Sequence, residues 1–271
     1  MTQPDGNFTL FNDSAFNGAS SVNQLLSYAS RIGIPLPEER SAKQIHFPDS
    51  GYLRRAQGNA TIFLDVGPIG PDYIPGHAHA DSLGFAMSLG TQRVFVDTGT
   101  SAYETGRVRQ KERSTSAHNT VEIDNANSSD VWGSFRVARR ARSRVITIDD
   151  DRVVAEHNGY TRFRDTGIHR REWTFLKDEM RIVDEVGGTG HHKVVSRLHI
   201  HPTLNCVTID GLIKIRADEA TIVTVRPDEK TAVRLTETHY SPEFGSVFKN
   251  SCIQMTYLGT LPARLSTRIS W

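Results

Sequence analysis

From Gly51 to the C-terminus the chain is cut into short β-branched and aromatic runs broken by turns, many of them at Gly, Asp or Asn. Such punctuation leaves no room for long helices and predicts strands that double back in antiparallel pairs. The runs Tyr52 to Arg55, Thr61 to Val66, Leu83 to Leu89, Arg93 to Val96, Thr120 to Ile123 and Ala141 to Ile148 open the series. Arg152 to His157, His169 to Leu176, Met180 to Val186 and Val194 to Ile200 continue it. Ile213 to Ile215, Thr221 to Val225, Ala232 to Leu235, Cys252 to Tyr257 and Arg264 to Ile269 finish it. Lys177-Asp178-Glu179 separates two runs as the turn of a hairpin. The expected fold class is all-β, a large antiparallel β-sandwich.

Before Gly51 the texture differs. Residues 1 to 18 are polar and read as an irregular lead-in. Ser20 to Ile32 places Val22, Leu25, Leu26 and Ala29 at helical spacing, with Ser20 or Ser21 as cap and Gly33 as stop. Ile34 to Asp49 carries Pro35, Pro37 and Pro48 and is expected to be a loop. The organisation that follows is a lead-in with one helix over 1–50 and the sandwich over 51–271. The net charge of +1 argues against generic nucleic-acid or membrane-surface binding. The N-terminus lacks the basic start and apolar run of a secretory signal, and no apolar stretch approaches a membrane span. Cys206 and Cys252 stand 46 residues apart without metal-type spacing, open to pairing or to remaining two thiols.

Chemistry-bearing residues concentrate between Pro75 and Phe135. His77 and His79 stand two apart, Asp97 precedes a Thr98-Gly99 turn, and His118 ends Ser114-Thr115-Ser116-Ala117 ahead of the run at Asn119 to Ile123. In a strand, His77 and His79 would share one face. Two imidazoles and a carboxylate from neighbouring strand ends make a reasonable zinc site with a free fourth position. The same residues also fit a turn-capping aspartate and ordinary loop histidines. From Arg107 to Arg144 nine Lys/Arg face four Asp/Glu. Arg107, Arg109, Lys111 and Arg113 alternate and would line one face of an extended stretch, either solvated or set against an anionic polymer. Tyr103 carries a hydroxyl suited to proton transfer or simply a packing ring.

Several stretches, in this order, resemble the C-terminal β-sandwich of the heparinase II/III-like polysaccharide lyases. They are FNDSA at Phe11 to Ala15, GHAHADSLGF at Gly76 to Phe85, VDTGTSAY at Val96 to Tyr103 and RSTSAHNTVEID at Arg113 to Asp124. WGSFRVARRA at Trp132 to Ala141 and RLHIHP at Arg197 to Pro202 complete a likeness spanning about Gly6 to Asn205. The resemblance implies zinc held by His79, Asp97 and His118, with His77 facing the substrate cleft. It implies β-elimination on an acidic polysaccharide, glycosaminoglycan- or alginate-like, with His77 and Tyr103 as catalytic residues. Arg107, Arg109, Arg113 and Asn119 would then contact substrate. It also implies a bacterial protein, periplasmic or secreted as is usual in that family.

Enzymes of this kind are longer, and an α-helical toroid supplying a further tyrosine precedes their sandwich. The short N-terminal helix here resembles the remnant of such a toroid. The chain is therefore expected to be the zinc-binding sandwich half of a lyase, with its helical half on a preceding domain or another chain. The alternative is a non-catalytic sandwich that stabilises a separate helical catalytic domain or positions substrate for it.

Overall fold

The computed structural model describes residues 1–36 and 42–271, so Pro37 of the proline-marked stretch lies outside the described residues. Helix α1 (Val22–Arg31) forms because Ser21 and Gln24 cap each other. The Ser21 hydroxyl accepts from the Gln24 amide, and the Gln24 side chain accepts from the Ser21 amide. It buries none of its residues and leaves Leu25, Tyr28 and Ile32 in solvent.

Strands make up the rest. One sheet runs β1 (Gln44–Phe47), β2 (Tyr52–Gln57), β3 (Ala60–Asp65), β4 (Phe85–Leu89) and β5 (Gln92–Phe95) in sequence order. Helix α2 (Arg107–Glu112) and β6 (Val121–Ile123) follow, then a small hairpin of β7 (Asp130–Trp132) and β8 (Arg136–Ala138). Next come β9 (Ser143–Ile148), β10 (Arg152–His157), β11 (Thr166–Leu176), β12 (Glu179–Gly188) and β13 (His191–His199). The last are β14 (Asn205–Ile209), β15 (Leu212–Ala217), β16 (Ala220–Arg226), β17 (Ala232–Tyr240), β18 (Phe248–Thr260) and β19 (Ala263–Ser270). An eight-stranded sheet has the order β14-β15-β16-β19-β12-β11-β10-β9, and a four-stranded one the order β17-β18-β13-β6. All the pairings within sheets are antiparallel, as the hairpin-rich sequence predicts.

The five- and four-stranded sheets meet where Phe95 bridges Ile200, and together they face the eight-stranded sheet. Ile62, Phe85 and Met87 from the first, Leu198 and Ile253 from the second, and Trp173, Ile182 and Ile269 from the third fill one core. Burying side chains of this size contributes about 1.5–3 kcal/mol each. The seam brings β5 beside the entrance to β6. It therefore carries Asp97 and His118 to one spot.

Two sequence expectations are corrected, and one is extended. The stretch expected as a loop holds β1, which pairs with β2 from Gln44↔Arg55 to Phe47↔Tyr52, because Gln44 to Phe47 contains no proline. Residues 1 to 18 are irregular, as expected, but also pack on the sandwich: Leu10, Phe11 and Ala15 are buried, and the Phe11 ring stacks on Tyr52 at 5.3 Å. The basic alternation from Arg107 lies on α2, so its residues point to different sides instead of sharing one.

Candidate active site and metal centre

Asp97 follows β5 and shapes the turn after it, its Oδ1 accepting from the Gly99 amide at 3.0 Å. Gly99 sits at φ +74, and a Cβ there would stand 2.0 Å from the Ser241 carbonyl oxygen, so only glycine fits. His118 leaves the short 3-10 turn Thr115–Ala117 with its Nδ1 at 2.7 Å from Asp97 Oδ2. Both are buried. Burial alone would depress the His118 imidazole, but the charge and hydrogen bond of Asp97 outweigh it and hold its pKa above the ordinary value.

His77 and His79 lie in the loop between β3 and β4, not in a strand. What unites them is one carboxylate. Asp13, from the packed N-terminal lead-in, takes His77 Nδ1 on Oδ2 at 2.9 Å and His79 Nε2 on Oδ1 at 2.8 Å. Arg109 forks onto both oxygens, and Thr100 donates to Oδ1 at 3.2 Å. Burial pushes the Asp13 carboxyl upward, yet bonds from His79 and Arg109 prevail and leave it well below the usual carboxylate range. A permanently ionised Asp13 fixes the tautomer of both rings: each donates the proton facing Asp13, leaving His77 Nε2 and His79 Nδ1 as acceptors. The His77 side chain is 59% exposed, whereas that of His79 is fully buried.

His79 Nδ1, both Asp81 carboxylate oxygens and His118 Nε2 are buried without a hydrogen-bond partner. Asp81, Asp97 and His118 each offer a ligand atom within 4.8 Å of one another, and the His79 ring lies 5.3 Å from that of His118. Burial above all, with Asp97 adding and His118 opposing, pushes Asp81 up to about 7. An orphaned carboxylate in such a place is costly unless a cation joins it. The mixed imidazole and carboxylate donors suit a borderline cation such as zinc. The residues therefore fit a metal ion. Asp81, absent from the sequence expectation, belongs in the close group, and the signal was there: an aspartate two places beyond His-x-His.

Tyr103 lies over this site from the surface. Its ring centroid is 5.6 Å from His77, 5.2 Å from Phe135 and 4.8 Å from Phe244, and the Arg109 guanidinium lies 5.0 Å from it. Burial, then the nearby Asp13 charge, raises the phenol above its ordinary value, so it holds its proton at neutral pH.

The four residues expected to touch substrate separate. Arg109 is buried on Asp13 and the Ser134 carbonyl oxygen. Arg113 is buried on the carbonyls of Ala78 and Ser134. Asn119 is buried between the Phe85 and Val96 carbonyls and the His199 amide. These three hold loops in place and are not free to meet a polymer. Arg107 is exposed and lines an open groove of about 630 Å³ with Gln110, Lys111, Asn125 and Asn127.

A family profile described as heparinase II/III-like, C-terminal, matches residues 39–271. Among solved structures, a heparinase III superposes with a TM-score of 0.78 at 18% identity, covering 99% of this chain and 44% of that one. The heparan sulfate lyase of Pedobacter heparinus gives 0.78 at 14%, with the same coverages of 99% and 44%. Another heparinase III gives 0.75 at 15%, covering 99% and 45%. No curated protein matches the chain. At these identities the structural likeness speaks for the fold, and the chain spans less than half the length of these solved chains.

Proposed function

The chain belongs to the heparinase II/III-like family by its C-terminal domain, and from that premise we propose that it is the sandwich part of a polysaccharide lyase. The reaction is β-elimination on a uronic-acid polymer. The observation that carries the reading is an exposed imidazole, His77, oriented by buried Asp13 beside the protonated Tyr103. Elimination breaks the C5–H and C4–O4 bonds of the uronate and leaves a C4–C5 double bond. His77 Nε2, the acceptor nitrogen, takes the C5 proton, and the Tyr103 hydroxyl donates to the departing O4. Arg107 and Lys111 are the exposed cations of the adjoining groove and suit the anionic polymer.

Asp81, Asp97 and His118 would hold a zinc ion, with the His79 ring, 5.3 Å from that of His118, beside the group and not within it. When bound, the ion neutralises two buried carboxylates and ties the turn after β5 to the entrance of β6. Chelation should then lower the melting temperature of the loaded protein. His118→Ala should purify with its zinc lost and His77→Ala with its zinc intact. Zinc lost from the His77 variant would show the two histidines of the pair assigned the wrong way round.

A helical partner domain fits the exposed apolar side of α1, where Leu25, Tyr28 and Ile32 stand in solvent. Elimination demands a base, an acid and neutralisation of the carboxylate around one sugar ring. His77 and Tyr103 supply a base and an acid, and a helical domain seated on α1 would complete the cleft that holds the ring and neutralises its carboxylate. The 271-residue chain alone is therefore expected to turn over uronate polymers poorly, and a fusion with a helical domain of a heparinase to turn them over well. Ultraviolet absorbance of the unsaturated uronate product reads this out. In the fusion, His77→Ala should lower the rate by about 10²–10⁴-fold. An unchanged rate would remove His77 from the chemistry.

A further inference from the structure

Helix α2 borders a second concavity, a cavity of about 290 Å³ that His77 and Tyr103 do not line. Its volume suits one small molecule, at the lower end of ligand pockets. Two of its lining residues carry buried oxygens that have no partner. Glu112 is 8% exposed; its Oε1 accepts from the Ser101 amide and hydroxyl, while Oε2 accepts from nothing. Thr98 is 5% exposed, and its hydroxyl is likewise unpaired. Leaving such atoms unsatisfied is unfavourable, and a ligand hydroxyl would answer each.

The rest of the lining narrows the ligand. Arg107 and Lys111 stand one turn apart on α2, exposed and outside any ion pair among the described residues. Val108 and Val247 add exposed carbon walls that suit the C–H face of a sugar ring. Glu112 is the one acidic group of the lining, on the same short helix as the two cations.

We propose that this cavity binds a single sugar acid. Its hydroxyls donate to Glu112 Oε2 and Thr98 Oγ1, and its carboxylate pairs with Arg107 and Lys111. The site uses no base, acid or metal ligand of the proposed elimination and shares with it only Arg107 and Lys111 of the adjoining groove; Glu112 and Thr98 line this cavity and not that groove, so their variants separate the two proposals.

Calorimetric titration of the 271-residue chain with glucuronate, glucose and cyclohexanecarboxylate tests the assignment. Saturable binding of glucuronate is expected, with glucose, lacking the carboxylate, and cyclohexanecarboxylate, lacking the hydroxyls, each weaker by about tenfold or more. Glu112→Gln keeps the acceptor for Ser101 and turns the free acceptor into a donor, so it should weaken glucuronate by about tenfold or more. Lys111→Ala, at an exposed position, should weaken glucuronate but not the melting temperature. Absence of saturable glucuronate binding overturns the proposal, as does equal binding of either comparison ligand. Should Glu112→Gln fail to fold, Thr98→Val and Lys111→Ala decide: unchanged glucuronate affinity in both overturns it.

Discussion

Asp13→Ala should lower the melting temperature by roughly 10 °C, since breaking a buried ion pair costs about 3–5 kcal/mol and each kcal/mol is worth about 2–4 °C in a domain this large. The reason is the number of groups that depend on one carboxylate. Arg109 is buried with both forks on Asp13, and without them its charge keeps the Ser134 carbonyl oxygen and the Tyr103 and Phe135 ring faces but no counter-ion. His77 and His79 lose the acceptors that set their tautomers. Asp13→Asn is the sharper probe of chemistry, because it preserves shape while pointing an amide toward Arg109 donors. In a lyase-competent fusion it should reduce kcat by up to about 10⁴-fold, the loss seen when the carboxylate that orients a catalytic histidine becomes an amide. If Asp13→Ala melts with the wild type, the clamp described here does not hold the site together.

Asp13 also marks the limit of what the sequence discloses. The sandwich was legible because strand periodicity and turn residues are local, and nearly every expected run is a strand. That His118 and Asp97 come together was legible from residue chemistry, and they meet at 2.7 Å. Asp13 stands within FNDSA, but nothing local says that a carboxylate there meets histidines 64 and 66 residues later. The basic alternation misled for a related reason. A spacing of two mimics a strand, and a helix as short as Arg107–Glu112 has too few apolar positions to announce its own period. Burial then reversed the meaning of Arg109, Arg113 and Asn119. Their side chains look like ligand donors in sequence and serve as internal struts in space.

The second large effect lies away from the site, in the sandwich itself. Arg171 grips Asp184 through Nε at 2.7 Å and Nη2 at 3.0 Å, and its Nη1 reaches the carbonyls of Leu83 and Asn119. His169 donates from Nε2 to Asp184 at 2.7 Å and meets His157 through Nδ1 at 3.1 Å. All four residues are buried. Asp184→Asn leaves the Arg171 charge buried without its counter-ion and should cost about 3–5 kcal/mol. Arg171→Met with Asp184→Leu removes both charges and should cost less than either single change. The same network sets an acid limit. Burial foremost depresses His157 well below its ordinary value, and burial outweighs the Asp184 bond to depress His169 as well. Asp184 is held far below the usual range because Arg171 and His169 overcome its burial. In every case the folded chain binds fewer protons than the unfolded one, so stability rises with pH through each window. The histidine contribution fades as pH falls below about 6.5, and that of Asp184 fades below about 3.9. Thermal melts of the wild type should therefore fall progressively from pH 7 toward acid, and the Asp184→Asn variant should lose the part of that slope that lies below about pH 3.9. Parallel slopes in the two proteins throughout that range would mean that Asp184 is not the carboxylate whose charge the fold depends on.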